Sequence, residues 1–280
     1  MSPGSSFLKT CLLFSVLFAA AISHGEAALL YYADFENYLP GQSVVTNSSA
    51  AANNTFSFLT TGATLSVQGA EDPFASNYAT MSAVSIGSSS VALRRNNMNF
   101  GIGDVRVLSF DLANSSGSAL SFVGNFLGVG NTSITGGWGN GSASMSISAS
   151  DTSLYRVSLV YNNSASAIAL PGELGGLNSG GCVFYYTADG VNFNLVGFNA
   201  GALSADGIAF SLNWSAASNG ESQMIDNMGF WSSAADTVDG TSVLALAPGS
   251  PVPEPAVLGM LALTAVALMG AHVRKRHRRA

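Results

Sequence analysis

The 280-residue chain is poor in cysteine and histidine, and both shortages exclude classes of protein. Cys11 lies in an N-terminal apolar run, so Cys182 alone remains for the rest of the chain and we expect no intramolecular disulfide. The three histidines, His24, His272 and His277, all lie near the two ends. The middle of the chain therefore cannot form a Ser-His-Asp or Cys-His catalytic arrangement, and a zinc site there would lack its commonest ligand.

Charged residues are scarce as well, at 9% of the chain. Between residues 28 and 250 there is no lysine, and four arginines (Arg94, Arg95, Arg106 and Arg156) face 14 carboxylates, which gives a net charge of about −10. An acidic surface repels phosphate groups, so nucleic acid is excluded as a partner and anionic lipid is disfavoured.

The N-terminus has the layout of a secretory signal peptide. Lys9 precedes an apolar run from Cys11 to Ile22, and small residues follow that run. We expect a signal peptide over residues 1–27, removed by signal peptidase after Ala27, with cleavage after Ser23 as the alternative. The chain is therefore predicted to be exported.

The C-terminus combines a proline-rich spacer, an apolar segment and a basic end. Residues 248–255 cannot continue a helix or a central strand, because proline lacks the backbone donor. Residues 256–273 predict a transmembrane helix of about 24–27 Å, slightly short of a ~30 Å hydrocarbon core. A buried core helix is the alternative. The basic tail, residues 274–280, favours a cytoplasmic C-terminus through Arg274, Lys275, Arg276, Arg278 and Arg279.

The run Val252-Pro253-Glu254-Pro255, followed by this helix and an arginine-rich end, resembles the PEP-CTERM sorting signal of Gram-negative bacteria. The resemblance covers about the last 30 residues. It implies recognition by an exosortase, transient anchoring in the inner membrane, processing near the Pro-Glu-Pro motif, and delivery to the cell surface or extracellular matrix. It does not describe the body of the chain.

The body, residues 28–247, shows short alternating apolar segments separated by turn residues, which predicts an all-β sandwich. Cys182 is predicted to be a small buried hydrophobic residue that opens a strand, with an intermolecular disulfide as the alternative. The expected strands are Leu29–Phe35, Thr55–Thr60, Thr64–Val67, Tyr78–Val84, Val105–Leu112, Leu120–Phe126, Ser144–Ile147, Leu154–Tyr161, Val183–Thr187, Phe193–Phe198, Ile208–Leu212, Met224–Trp231 and Ser242–Leu246.

The segment from Cys182 to Phe193 predicts a hairpin, because Asp189-Gly190 tolerates positive φ at a tight turn. The segment resembles hairpins of concanavalin A-like and laminin-G-like jelly rolls. Ala33–Gly41 and Met224–Phe230 resemble the first and last strands of jelly-roll carbohydrate-binding modules, which lie side by side. This resemblance implies a jelly-roll β-sandwich ectodomain.

The same resemblance implies a structural Ca²⁺ held by Glu36 and Asp226, with Asp34 and Asn227 as further ligands. Oxygen donors of this kind suit Ca²⁺, which takes six to eight of them. The alternative is that the three carboxylates are simply outward-facing residues of alternating strands.

For function we expect a non-enzymatic protein of the cell surface or extracellular matrix with polysaccharide as a partner. Trp138, in a glycine-rich segment, is the candidate sugar-stacking residue, and folding back onto the sandwich is its alternative. A carbohydrate-active enzyme, a glycoside hydrolase or lyase on the same scaffold, is the alternative function. Such a hydrolase needs two carboxylates about 5 to 10 Å apart, and Glu71-Asp72, before Pro73, is predicted to be a turn instead.

Overall fold

The computed structural model shows an all-β protein built from two antiparallel sheets that pack face to face. The chain is described over residues 29–33, 35, 39–41, 43, 57–84, 86–95, 105–114, 119–128, 143–199, 205–216, 222–235, 237–238 and 240–250.

Seventeen strands and one short 3₁₀ helix, Val243–Ala245, make up the regular structure of the described residues. In chain order the strands are β1 Leu29–Ala33, β2 Ser57–Thr61, β3 Ala63–Gln68, β4 Tyr78–Ala83, β5 Gly87–Arg95, β6 Val105–Asn114, β7 Leu120–Gly128, β8 Ala143–Ile147, β9 Leu154–Asn162, β10 Ile168–Ala169, β11 Gly176–Leu177, β12 Cys182–Thr187, β13 Phe193–Asn199, β14 Ala205–Ala216, β15 Ser222–Trp231, β16 Thr237–Val238 and β17 Thr241–Ser242.

The larger sheet has eight strands, in the order β13-β12-β9-β6-β15-β4-β3 with β1 also paired to β15. The smaller sheet has five, in the order β2-β5-β14-β7-β8. The chain crosses repeatedly between the two sheets, which agrees with the predicted β-sandwich.

The first and last long strands lie side by side, as predicted. Strand β1 runs antiparallel to β15, with Ala33 opposite Met228. Strand β4 pairs with the first part of β15, and this pairing stops where Ala79 lies opposite Ile225. Strand β15 pairs with β6 along its other edge. That pairing has a register shift between Asp226 and Gly229.

Two strand predictions were wrong. Strand β5 was missed, because its serine-rich start gives only a weak alternation of apolar residues, although the strand pairs along its whole length with β14. The predicted strand Ser242–Leu246 is mostly the 3₁₀ helix, which begins where the Ser242 hydroxyl accepts a hydrogen bond from the Leu244 amide at 3.3 Å. The other predicted segments each contain a strand, and the Asp189-Gly190 hairpin joins β12 to β13.

The main hydrophobic core lies between the two sheets. Strand β6 contributes Leu108, Phe110 and Leu112 from the larger sheet, and β14 contributes Ile208 and Leu212 from the smaller one. Cys182 lies in this core as predicted, and burial raises the pKa of its thiol. The thiol is therefore a packing group and stays protonated.

The outer face of the larger sheet is buried too, which explains why every residue of β6 is buried. A second apolar cluster joins sheet residues such as Val107, Val160 and Tyr185 to residues of two covering segments, 163–181 and 232–250. The Tyr185 hydroxyl donates a hydrogen bond to the Leu244 carbonyl at 2.7 Å and so fixes the second segment to the sheet. The covering segments thus form a third layer, and we call residues 232–250 the C-terminal strap.

One glycine makes room for the largest buried side chain of this cluster. A Cβ on Gly229 would lie 2.2 Å from the indole of Trp231, which is fully buried. The indole therefore lies over Gly229, and any larger residue there would displace it. Ser109 lies opposite Gly229 on β6, so small residues line this part of the sheet.

A buried ion pair crosses the centre of the outer face. Asp111 on β6 lies opposite Arg156 on β9, and both side chains are at most 1% exposed. The Arg156 guanidinium donates from Nε to Asp111 Oδ1 at 2.7 Å and from Nη2 to Oδ2 at 3.1 Å. Asn227, at positive φ in the irregular part of β15, donates its amide to Asp111 Oδ2 at 2.8 Å.

The C-terminal strap ends on this ion pair. The Gly249 amide donates to Asp111 Oδ2 at 3.0 Å, and Arg156 donates to the Ser250 carbonyl at 2.8 Å. Burial raises the pKa of Asp111, while Arg156, Asn227 and Gly249 act in the opposite direction. Ordered contacts therefore extend through residue 250, into the predicted proline-rich spacer.

Candidate functional site

The outer face of the five-stranded sheet carries a continuous row of polar side chains. Strand register places Thr61 beside Ser90, Ser90 beside Asn213, Asn213 beside Ser121, and Ser121 beside Ser146. The row therefore crosses all five strands. Neighbouring strands are about 4.8 Å apart, so four steps span roughly 19 Å.

The part of this row from Thr61 to Ser121 lines an open groove of about 390 Å³. Every lining residue is uncharged, and all except one alanine carry a hydroxyl or a side-chain amide. The lining comprises Thr61, Ser88, Ser89, Ser90, Ala119, Ser121, Asn213 and Ser215. We call this surface the hydroxyl groove.

Period-two alternation produces the hydroxyl groove. On β5, Val91 is buried in the core, whereas Ser88 is exposed and Ser90 is half-buried on the other side; Ser89 is buried and donates a hydrogen bond to the Gly62 carbonyl at 3.0 Å. On β14, Leu212 is buried and Asn213 is half-buried. Asn213 accepts a hydrogen bond from the Ser211 hydroxyl at 2.9 Å, so its amide nitrogen is the donor it can present to a ligand.

A second concave surface lies on the rim of the larger sheet, with a volume of about 480 Å³. Its lining mixes carboxylates, amides, hydroxyls and one aromatic ring: Gln68, Glu71, Asp72, Pro73, Tyr78, Thr80, Asn114, Thr152, Ser222 and Met224. We call it the rim cleft. Glu71 and Asp72 are exposed here, in a turn closed by a 2.7 Å hydrogen bond from the Phe74 amide to the Glu71 carbonyl. The predicted turn is confirmed.

Of the four predicted calcium ligands, the structure describes Asp226 and Asn227, and the Asn227 side chain donates to Asp111. Asp226 is the carboxylate of the set that is described. The Asp226 side chain is fully buried. On β15, Asp226 lies between the residues that pair with β4 and those that pair with β1. Its Oδ2 accepts a hydrogen bond from the Ser76 hydroxyl at 2.9 Å. Asp34 and Glu36 lie outside the described residues, on either side of Phe35, which is buried.

The described residues contain no group of three or more histidine, cysteine, aspartate or glutamate side chains that could hold a metal ion. Asp111, directly opposite Asp226 in register, is bound by Arg156 instead. Any calcium site here would thus need Asp34 and Glu36, so the predicted ligand set remains a prediction.

Several predicted site residues fall outside the described part of the chain. They are Trp138, the sorting motif Val252, Pro253, Glu254 and Pro255, and the basic residues Arg274, Lys275, Arg276, Arg278 and Arg279. Within the described ranges, no helix has the length and apolar character needed to cross a bilayer. Residues 256–273 are not among those ranges.

Sequence reasoning missed both concave surfaces. The hydroxyl groove depends on β5, whose serines look like a loop when taken alone. The alternation of Ser88 and Ser90 with Ser89 and Val91 is the signal that could have indicated a strand with one polar face. The rim cleft joins residues from positions 68 to 224, a combination that only the fold brings together.

No family model matches the chain, and no curated protein matches it. Solved structures that are similar include the enzymatically active domain of bacteriophage CBA120 tailspike protein 4, with 15% identity and a TM-score of 0.34 over 68% of this chain and 21% of that one. The CBM22-1-CBM22-2 tandem domain of Paenibacillus barcinonensis Xyn10C has 9% identity and a TM-score of 0.35, over 79% of this chain and 50% of that one. The exoplasmic/lumenal domain of VIP36 has 6% identity and a TM-score of 0.34, over 76% of this chain and 96% of that one.

This chain spans about a fifth of the tailspike domain's length. The TM-scores of all three structures lie below 0.5, so these similarities carry no argument about this chain. The β-sandwich is instead established by the strand pairing of the chain itself.

Proposed function

We propose that this chain is an exported, non-enzymatic β-sandwich that binds polysaccharide at the cell surface or in the extracellular matrix. The observation that carries the proposal is the hydroxyl groove, an uncharged row of hydroxyl and amide groups across the five-stranded sheet. A neutral polysaccharide presents many hydroxyls and no charge. Serine, threonine and asparagine side chains both donate and accept hydrogen bonds, so they match that pattern.

The character of the hydroxyl groove also supports binding rather than hydrolysis. A glycosidase of the usual type needs a pair of carboxylates flanking the bond it cleaves. None of the residues that line the groove is acidic. The lined part of the row, from Thr61 to Ser121, makes three steps between strands and spans roughly 14 Å, which is enough for a few sugar units lying across the strands.

The first prediction concerns this groove. Replacing Ser90 and Asn213 by alanine removes two central hydrogen-bonding groups and should weaken binding of a neutral polysaccharide by about tenfold or more, at about 1 kcal/mol for each hydrogen bond. A glycan array followed by calorimetry on the soluble fragment 28–250 measures this loss. The matched control is the double alanine variant of Asn178 and Ser179, which are exposed in a turn of the third layer.

Binding by the control but not by the Ser90/Asn213 variant supports the proposal. Wild-type protein that binds no neutral glycan on the array contradicts it, and release of reducing ends from a bound glycan would favour the enzyme instead.

Delivery to the surface is the second part of the proposal. Signal peptidase removes residues 1–27, the helix 256–273 holds the chain in the inner membrane, and an exosortase processes it near Pro253-Glu254-Pro255. The contacts that the structure describes include Ser250, whose carbonyl accepts a hydrogen bond from Arg156, two residues before Val252 opens the motif. The sandwich and the proposed sorting motif are therefore adjacent in sequence.

The second prediction tests this delivery. Changing Pro253, Glu254 and Pro255 to alanine should leave the protein unprocessed in the inner membrane, because the peptidase would no longer read its motif. Cell fractionation and immunoblotting measure the location and size of the protein. Normal processing and release of the altered protein would refute the sorting proposal.

A structural Ca²⁺ at Glu36, Asp226 and Asp34 is the third part of the proposal. The buried carboxylate of Asp226, at the interval between β1 and β4, supports it. A cation at this position would join the strand that opens the domain to the one that closes it.

The third prediction follows by linkage, because an ion that binds only the folded state stabilises that state. Removing calcium with a chelator should lower the melting temperature by several degrees, and added Ca²⁺ should restore it. The Asp226→Asn variant should show little response to the chelator. An unchanged wild-type melting temperature would rule out the ion.

A further inference from the structure

The rim cleft differs in chemistry from the hydroxyl groove. It lies on the eight-stranded sheet, beside the turn that carries Glu71 and Asp72, and near the ends of β6 and β15. Its volume of about 480 Å³ is in the usual range for small-ligand sites. The proposed neutral-glycan site does not use any of its residues.

The floor of the rim cleft is held in place by aromatic packing. Tyr78 lines the cleft and is only 5% exposed, and its ring stacks on Phe74 with centroids 5.0 Å apart and an angle of 22°. The backbone of Phe74 also closes the turn through its hydrogen bond to Glu71. The turn that presents the two carboxylates is therefore anchored to the same ring pair.

The charged residues that line the rim cleft are both acidic. Glu71 and Asp72 are exposed carboxylates, and none of the lining residues is a cation. Burial, together with the negative charge of Glu71, raises the pKa of Tyr78, so its phenol stays neutral. Asp151 precedes the lining residue Thr152, and a 2.6 Å hydrogen bond from the Tyr155 hydroxyl lowers the pKa of this carboxyl and keeps it ionised.

The arginines that the structure describes do not offset this charge. Arg106 is 7% exposed and Arg156 is 1% exposed, and both are engaged in the outer-face layer of the larger sheet. The side chains of Arg94 and Arg95 lie outside the described part of the chain. A ligand of the rim cleft should accordingly carry positive charge.

We propose that the rim cleft binds an amino sugar unit of a polysaccharide. Its ammonium group pairs with Glu71 and Asp72, its ring packs against Tyr78, and its hydroxyls bond to the amide and hydroxyl groups of Gln68, Thr152 and Ser222. The choice of a glycan as the cationic ligand rests on the proposed function. The chain thus has two glycan surfaces, one for neutral sugars and one for amino sugars.

The test compares two probes that differ in charge, a glucosamine hexamer and its fully N-acetylated counterpart, on the full chain with its own end segments. Calorimetry in the presence of chelator should show tighter binding of the glucosamine hexamer, with an affinity that falls as salt is added. The Glu71→Gln/Asp72→Asn variant should bind the glucosamine hexamer about tenfold more weakly, because it loses two exposed ion pairs with the ammonium groups. Glu173→Gln, another exposed carboxylate in the turn 171–175, should be unchanged.

Equal affinities of the wild type and the Glu71/Asp72 variant for the glucosamine hexamer would overturn the inference. Tighter binding of the acetylated hexamer, or hexalysine binding as tightly as the glucosamine hexamer, would also overturn the amino sugar assignment. If glucosamine binding depends on Glu71 and Asp72 but the protein binds no neutral glycan, the neutral-glycan proposal for the hydroxyl groove is refuted and the amino sugar proposal stands. The experiment can therefore refute the neutral-glycan proposal and the amino sugar proposal independently of each other.

Discussion

The ion pair between Asp111 and Arg156 is the interaction on which the architecture depends. A charged pair in the middle of a sheet is costly to bury unless its remaining hydrogen-bonding groups are satisfied. The carboxylate is satisfied by Asn227 and by the Gly249 amide, and the guanidinium also binds the Ser250 carbonyl, so that of these groups Arg156 Nη1 alone is buried without a hydrogen-bond partner among the described residues. These contacts require that β15 be irregular at Asn227 and that the C-terminal strap lie on the sheet. The same few atoms therefore fix the bulge and hold residues 249 and 250 of the third layer against the sheet.

A third layer over the larger sheet leaves the smaller sheet as the one with an open outer face. Tyr185, Trp231 and the apolar residues of the C-terminal strap bury the outer face of the eight-stranded sheet near Val107, and the rim cleft remains at one end. The hydroxyl groove is open because no described segment crosses Ser90 and Asn213. Packing of the third layer thus determines where the larger sheet is covered. The two proposed glycan surfaces are the concave regions that stay accessible, the hydroxyl groove and the rim cleft.

Alternation of apolar residues was enough to predict the all-β class, most strands and the hairpin at Asp189-Gly190. In that hairpin, Asp189 accepts hydrogen bonds from the amides of Val191 and Asn192, so the turn is determined by local chemistry. The missed elements depend on distant partners. Strand β5 is a strand because β2 and β14 pair with both of its edges, and the Asp111–Arg156 pair joins positions 45 apart in the sequence. The local sequence carries only a weak alternation for the strand and no signal for the ion pair.

The most direct test of this account is the free energy of unfolding of Arg156→Met, measured by urea titration beside the double variant Asp111→Asn/Arg156→Met. Removing Arg156 alone leaves a buried carboxylate without its cation, so the account predicts a loss of about 3–5 kcal/mol and faster proteolysis within the C-terminal strap. The double variant, which no longer buries a charge, should recover a substantial part of that loss. Equal stability of the wild type and Arg156→Met, with the strap equally resistant to protease, would contradict the account.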